Sequence, residues 1–381
     1  MSFLANRAVN LLSLHYAFQA LAQGSGGVFL LVYLLKAGLT LEQTIMALAA
    51  TVALRFIFRR GVVSFARQFG LKAALVTGCL ILSLQYPLSA AVDGIGWALL
   101  ARCVATGAGE AFYWSSFHAF FASQGDSESR GRQVGAREAL AAAIGIIAPL
   151  FGAWALMNVG AGGAFALIGL VQALGVVPLL WTSDVKIAPE ASGMQAAART
   201  GRHIYLLNGW FAATFILAWQ VALFLALGES LSAYGGTMAL AAVAGAAGGL
   251  MVGHLLDEGR GAPVAVLVVF AGIAAIAILR AASLEAPALA IAANAIGAFA
   301  ICFYVPVMNA PVYNLAKASP CALRFHVATE DSWDIGCLAA CALALGLLAV
   351  GLGLPAVILL ALASCLGHAI VLHRYYTHQF R

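Results

Sequence analysis

From Pro263 to Leu279 the chain runs without a single charged or amide side chain, and stretches of this kind recur along its whole length. About 20 apolar residues are what an α-helix needs to cross the hydrocarbon layer of a membrane. Within that layer every backbone N–H and C=O must be satisfied by its own segment or a closed neighbour, which leaves helices or a β-barrel. A barrel would read as short segments of alternating polarity, and no such pattern is present. Twelve helical spans are predicted, over 9–35, 41–60, 73–92, 95–122, 132–157, 162–182, 204–228, 232–255, 263–281, 286–316, 325–351 and 354–373. Hydrophobic residues make up 63% of the chain and charged ones 9%, with a mean hydropathy of +0.96. So few charges could not cover a soluble surface. The expected fold class is therefore all-α and polytopic, embedded in the lipid bilayer.

The same landmarks appear twice. Phe112-Tyr113 returns as Phe303-Tyr304, 191 positions later, and Glu138, six residues after Arg132, returns as Glu330, six after Arg324. Met46 to Ala50 reads Met-Ala-Leu-Ala-Ala, as does Met238 to Ala242, and Gly61 and Gly70 return as Gly253 and Gly261. One shared offset of 191 or 192 positions is the mark of two tandem copies of one unit. The longest polar interruption falls between the sixth and seventh spans. The expected organisation is a six-helix bundle over 1–183, a cytoplasmic linker over 184–203 and a second six-helix bundle over 204–381.

Lysine and arginine in short loops set orientation. With the N-terminus inside, the cytoplasmic side collects Arg7, Arg59, Arg60, Arg67, Lys72, Arg130, Arg199, Arg202, Lys317, Arg324 and Arg374, against little beyond Lys36 and Arg280 opposite. Both termini are expected in the cytoplasm. The net charge of +5 is thus a matter of topology, and no nucleic-acid partner is expected. The apolar run after Arg7 continues past Leu31 with no small-residue cleavage pattern, so it reads as a first span and not a signal peptide. Seven cysteines without a CxxC pair read as small core residues.

At this point the residues resemble the major facilitator superfamily, whose hallmark loop has the form G-x-x-x-D-x-x-G-R-R/K. Gly253-His254-Leu255-Leu256-Asp257-Glu258-Gly259-Arg260 is similar to it, while the first copy keeps Gly70-Leu71-Lys72 and has Arg67 where the family has aspartate. Gly145 to Ala153 looks like the family's antiporter signature in the fifth span, with two glycines replaced by alanine. The resemblance implies two pseudo-symmetric six-helix bundles that alternate access around a central cavity lined by the first, fourth, seventh and tenth spans.

Ionisable side chains inside a membrane are costly, roughly 2.5–3.5 kcal/mol each on insertion scales, so each is a candidate for function. Glu110 and Arg102 share one face of the fourth span and are the expected proton-coupling pair. The alternative for them is a fixed tether between helices. Candidate cavity residues are His15, Gln19 and Gln23 on the first span, and Tyr113, Trp114 and His118 on the fourth. Asn208 and Gln220 on the seventh and Tyr304, Asn309 and Tyr313 on the tenth complete the set. Each could instead be a packing hydrogen bond. A cytoplasmic gate is expected from Arg55, Arg59, Arg137, Glu138, Asp257, Arg260, Glu330, Asp331 and Asp334, with local charge at helix ends as the alternative.

His326, Glu330 and Asp334 share a helix face but span about 12 Å, too far for one ion without help. Glu330 with Asp334, or His326 with Glu330, could form half a site, but no metal and no cofactor are expected. No Walker A, GxSxG or HExxH motif occurs in a suitable context. The expected function is secondary active transport of a small-molecule substrate across the cell's inner (plasma) membrane, coupled to protons and directed outward, by a monomer that is not an enzyme. The alternatives are gradient-driven uptake of a nutrient or metal ion, and a membrane-embedded metal-dependent enzyme.

Overall fold

The computed structural model describes residues 6–124, 130–187, 190, 192–255 and 262–379. Every described element is helical. We number the long helices α1 (Arg7–Lys36), α2 (Leu41–Phe69), α3 (Leu71–Ala90), α4 (Trp97–Gln124), α5 (Arg130–Asn158), α6 (Gly160–Leu179), α7 (Met194–Ala226), α8 (Leu231–Leu255), α9 (Ala262–Ala282), α10 (Pro287–Ala318), α11 (Ala322–Ala349) and α12 (Leu354–Thr377). Among the described residues, eleven are long and apolar enough to cross a membrane. The exception is α4, which has the length, at 28 residues, but not the apolarity. That helix carries Arg102, Glu110 and His118.

Local chemistry sets the helix ends. Asn6 caps α1, accepting the Val9 N–H at 3.1 Å, and its amide donates to the Gln124 carbonyl at 3.0 Å. Thr40 and Gln43 satisfy each other's backbone N–H at the start of α2, a reciprocal cap. Pro287 opens α10, where a missing N–H costs nothing. Helix α7 starts at Met194, well before the predicted 204. Met194 to His203 is rich in alanine and basic residues, so it forms helix readily but is too polar to read as membrane span. A π-helical stretch, Ala212–Leu217, interrupts the same helix.

The chain divides into two compact units. The first holds residues up to Met194 together with Pro320–Val327. In it α4 packs on both α2 and α3, while α1 packs on α5 and α6. Its core gathers Leu12, Val62, Leu75, Tyr113 and Phe120, and Leu323 from the start of α11 joins that cluster. The second unit holds Gln195–Ser319 and Ala328–Arg381, with α8 and α9 packed on α10 and α9 packed on α12. Both units cross their first and fifth helices at glycine. A Cβ on Gly152 would stand 1.9 Å from the Ser25 carbonyl oxygen, and one on Gly336 would stand 1.9 Å from that of Leu206. Small residues at such crossings let backbones touch, which is how membrane helices gain packing without a hydrophobic driving force.

Candidate functional site

Glycine also builds the charged site of the first unit. Gly107 lies where α4 meets α2, and a Cβ there would stand 2.9 Å from the Arg55 backbone nitrogen. This close approach brings the Arg55 side chain to Glu110, with Nη1 donating to Oε2 at 3.0 Å. The pair is lopsided: 9% of the Arg55 side chain is exposed against 29% of Glu110. The guanidinium is sealed in the helix interface while the carboxylate keeps an open side.

Glu110 therefore pairs with Arg55, not with Arg102 as its position on α4 suggested. Residues eight apart on one helix are separated by about 12 Å of rise, so Arg102 needs a different neighbour. It finds Ser89 on α3, whose hydroxyl accepts its Nε–H at 3.2 Å. Arg102 is 4% exposed and its Nη1 has no hydrogen-bond partner among the described residues.

The same unit holds an amide and imidazole cluster. His15 Nδ1 is 2.7 Å from the Gly175 carbonyl of α6, and its ring centroid is 5.5 Å from that of Tyr113. Gln19 accepts from the amide of Gln172, and the Cys79 thiol donates to the Gln172 carbonyl at 3.2 Å. His15, Gln19 and Tyr113 are all buried, so this part of the predicted cavity set is packed inside the unit, while Gln23 is exposed. Trp114 and His118 are half-buried and stacked, and the His118 ring also stacks on His326 at 5.4 Å.

The second unit brings two predicted residues into contact: the Tyr304 hydroxyl donates to the Asn208 side-chain oxygen at 2.7 Å. Tyr304 is buried against Phe211, Phe270 and His368. The His368 ring lies parallel to Phe270 at 5.1 Å. Gln220 and Asn309 are half-buried, and Tyr313 is exposed.

Of the residues expected at a gate, Arg59, Glu330 and Asp334 are buried and Asp331 is half-buried. The side chains of Arg137 and Glu138, and all of Asp257 and Arg260, lie outside the described residues. At the loop where the first copy lacks its aspartate, Asp184 supplies a carboxylate, accepting the Lys72 N–H at 2.8 Å. Among the described residues, no group of three or more histidine, cysteine or acidic side chains is placed to hold a metal ion.

Sequence reasoning passed over Gln172, His368 and Asn294. Each is a lone polar residue in an apolar run, and the cost of burying such a group was the available signal.

The model of the family described as the Major Facilitator Superfamily matches residues 12–320. The chain belongs to this superfamily. It is thus an integral membrane transporter, not an enzyme. A search of curated proteins found no match. Among solved structures, this facilitator is similar to an MFS transporter, FucP, in the outward conformation, with a TM-score of 0.68 at 14% identity over 99% of each chain. The E. coli fucose:proton symporter FucP in a variant form gives 0.68 at 16% identity over 99% of each chain. An auto-inhibited POT family peptide transporter gives 0.65 at 13% identity, over 98% of this chain and 97% of that one. At these identities the likeness establishes the fold.

Proposed function

We propose that this facilitator exports a small organic solute from the cell in exchange for protons, by alternating access, with Glu110 as the proton site. The observation that carries this reading is the lopsided ion pair. An open carboxylate can take up a proton, and doing so removes a negative charge that a sealed guanidinium meets at 3.0 Å. Protonation weakens the bond by which Glu110 on α4 holds Arg55 on α2, and so ties proton uptake to the packing of the two helices. Arg102 holds α4 to α3 and keeps Glu110 in register. The export direction draws on the fifth span's likeness to the antiporter signature. The membrane is the plasma membrane, with both termini inside, on the strength of the basic residues that cluster on one side.

A second reading, proton-driven uptake, is favoured by the fucose:proton symport named for a solved structure of the same fold. Proteoliposomes with imposed pH gradients of either sign separate the two. Export by exchange requires solute to move against the proton flow, and movement with it establishes uptake. Glu110→Gln should abolish pH-driven flux while sparing solute exchange. Unchanged pH dependence in that variant removes Glu110 from coupling.

A further inference from the structure

The tryptophans divide between the two units. Of the seven in the chain, the second unit holds Trp210, Trp219 and Trp333 and turns them inward. The Trp210 indole donates to the Leu360 carbonyl at 2.8 Å, that of Trp219 donates to Asn294 Oδ1 at 2.9 Å, and Trp333 is half-buried. The first unit half-buries Trp114 but leaves Trp97, Trp154 and Trp181 exposed, by 84%, 55% and 59%. Their indole N–H groups meet no acceptor among the described residues. At the positions 191 further on stand Ala288, Leu345 and Leu372, so the second copy of the repeat does without them.

The three exposed rings sit where helices end. Trp97 opens α4, Trp154 lies one turn before Asn158 closes α5, and Trp181 comes just after Leu179, the last residue of α6. Successive spans alternate in direction, so Trp97 and Trp154 share one face of the membrane and Trp181 marks the other. The 20 residues of α6 separate the two levels by about 30 Å of helix rise, which is about the thickness of the hydrocarbon layer. Ile95, Val159 and Leu180 at the same turns are exposed too. In water this apolar surface would stay uncovered, and in hydrocarbon the indole N–H groups would find no acceptor. The layer between, where phosphate and ester oxygens meet acyl chains, satisfies both ends of an indole.

We propose that Trp97, Trp154 and Trp181 are interfacial anchors that seat the first unit between the phospholipid headgroup layers of the two leaflets. The partner of this surface is lipid and not a second protein, because the rings lie at two levels one bilayer apart. Trp97 and Glu110 share α4 and are thirteen residues apart, about 20 Å of rise. The anchor at Trp97 therefore sets how deep Glu110 lies in the bilayer, whichever way the solute moves.

Fluorescence quenching in a bilayer tests the anchors. The purified full chain is placed in phosphatidylcholine nanodiscs whose lipids carry a nitroxide either on the headgroup or deep in the acyl chain. Iodide is added to matched samples without nitroxide. Headgroup nitroxide should quench the tryptophan emission most, the deep nitroxide less and iodide least. Replacing all three residues with phenylalanine should remove most of the headgroup quenching, because the four tryptophans left are buried, half-buried or bonded within the protein. Phenylalanine keeps a ring at each site. If the triple variant does not fold, Trp97→Phe, Trp154→Phe and Trp181→Phe serve singly, and each should remove a share. The anchors are overturned if headgroup quenching persists in the triple variant or is undiminished in all three single ones. They are overturned equally if the deep nitroxide or iodide quenches as strongly as the headgroup label. A wild type that no nitroxide quenches also overturns them, and is the result expected if a second copy or another protein covers these rings.

Discussion

The two units carry different chemistry at matching places. Tyr113 and Tyr304, 191 positions apart, are each buried with an imidazole ring against them, at 5.5 Å and 5.7 Å. In the first unit that imidazole is His15, from the first helix; in the second it is His368, from the last. Around Tyr113 stand Gln19, Gln172 and Cys79, whereas the positions 191 or 192 further on hold Phe211, Ser364 and Phe270. An amide cluster in one unit is an aromatic cage in the other. The guanidinium changes helices too. Arg102 of α4 reaches Ser89 of α3, and the position 191 beyond Ser89 is Arg280 of α9, which reaches α7 instead. Each unit keeps a glycine where its first and fifth helices cross, although Gly152 and Gly336 are 184 positions apart and so are not counterparts in the repeat, while the interior polar groups diverged.

The largest break in the comparison should come from the Arg55–Glu110 ion pair of the first unit. Glu110→Gln removes the carboxylate that Arg55 meets at 3.0 Å and should destabilise the chain by about 3 kcal/mol. Adding Arg55→Gln should restore most of that stability without restoring proton coupling. Thermal unfolding and flux measured on the same preparations check both halves, and a neutral result for the single variant would mean that the pair is solvated.

The glycine crossings sharpen the comparison from the other direction. Gly152→Val and Gly336→Val should each cost about 1–3 kcal/mol by overpacking, and by similar amounts, since the hypothetical Cβ meets a carbonyl oxygen at the same distance in both units. Denaturation midpoints that differ widely between the two would show that the scaffold has diverged as well.

The smallest effect should come from the imidazoles. His15→Phe removes a hydrogen bond to the Gly175 carbonyl, worth about 0.6–2 kcal/mol in a membrane helix bundle. His368→Phe gives up longer contacts, to Ser364 at 3.1 Å, and adds one more ring to an aromatic cage, so it should cost less. The reverse order of melting temperatures would refute the contrast between cluster and cage.

Membrane class, helix number and internal duplication could all be read from the residues, because hydropathy and a constant offset are properties of the chain itself. The start of α7 at Met194 could not, since the polar stretch Met194 to His203 leaves no apolar run to detect. Candidate positions such as Glu110, His15 and Tyr304 stood out by the cost of burying polar groups. Their partners did not. Arg55 meets Glu110 because Gly107 lets α2 approach α4, and Arg280 of α9 meets the Phe215 carbonyl within the π-helical stretch of α7. Which face of each helix meets which neighbour depends on packing between segments far apart in sequence, and that geometry exists only once the chain has folded.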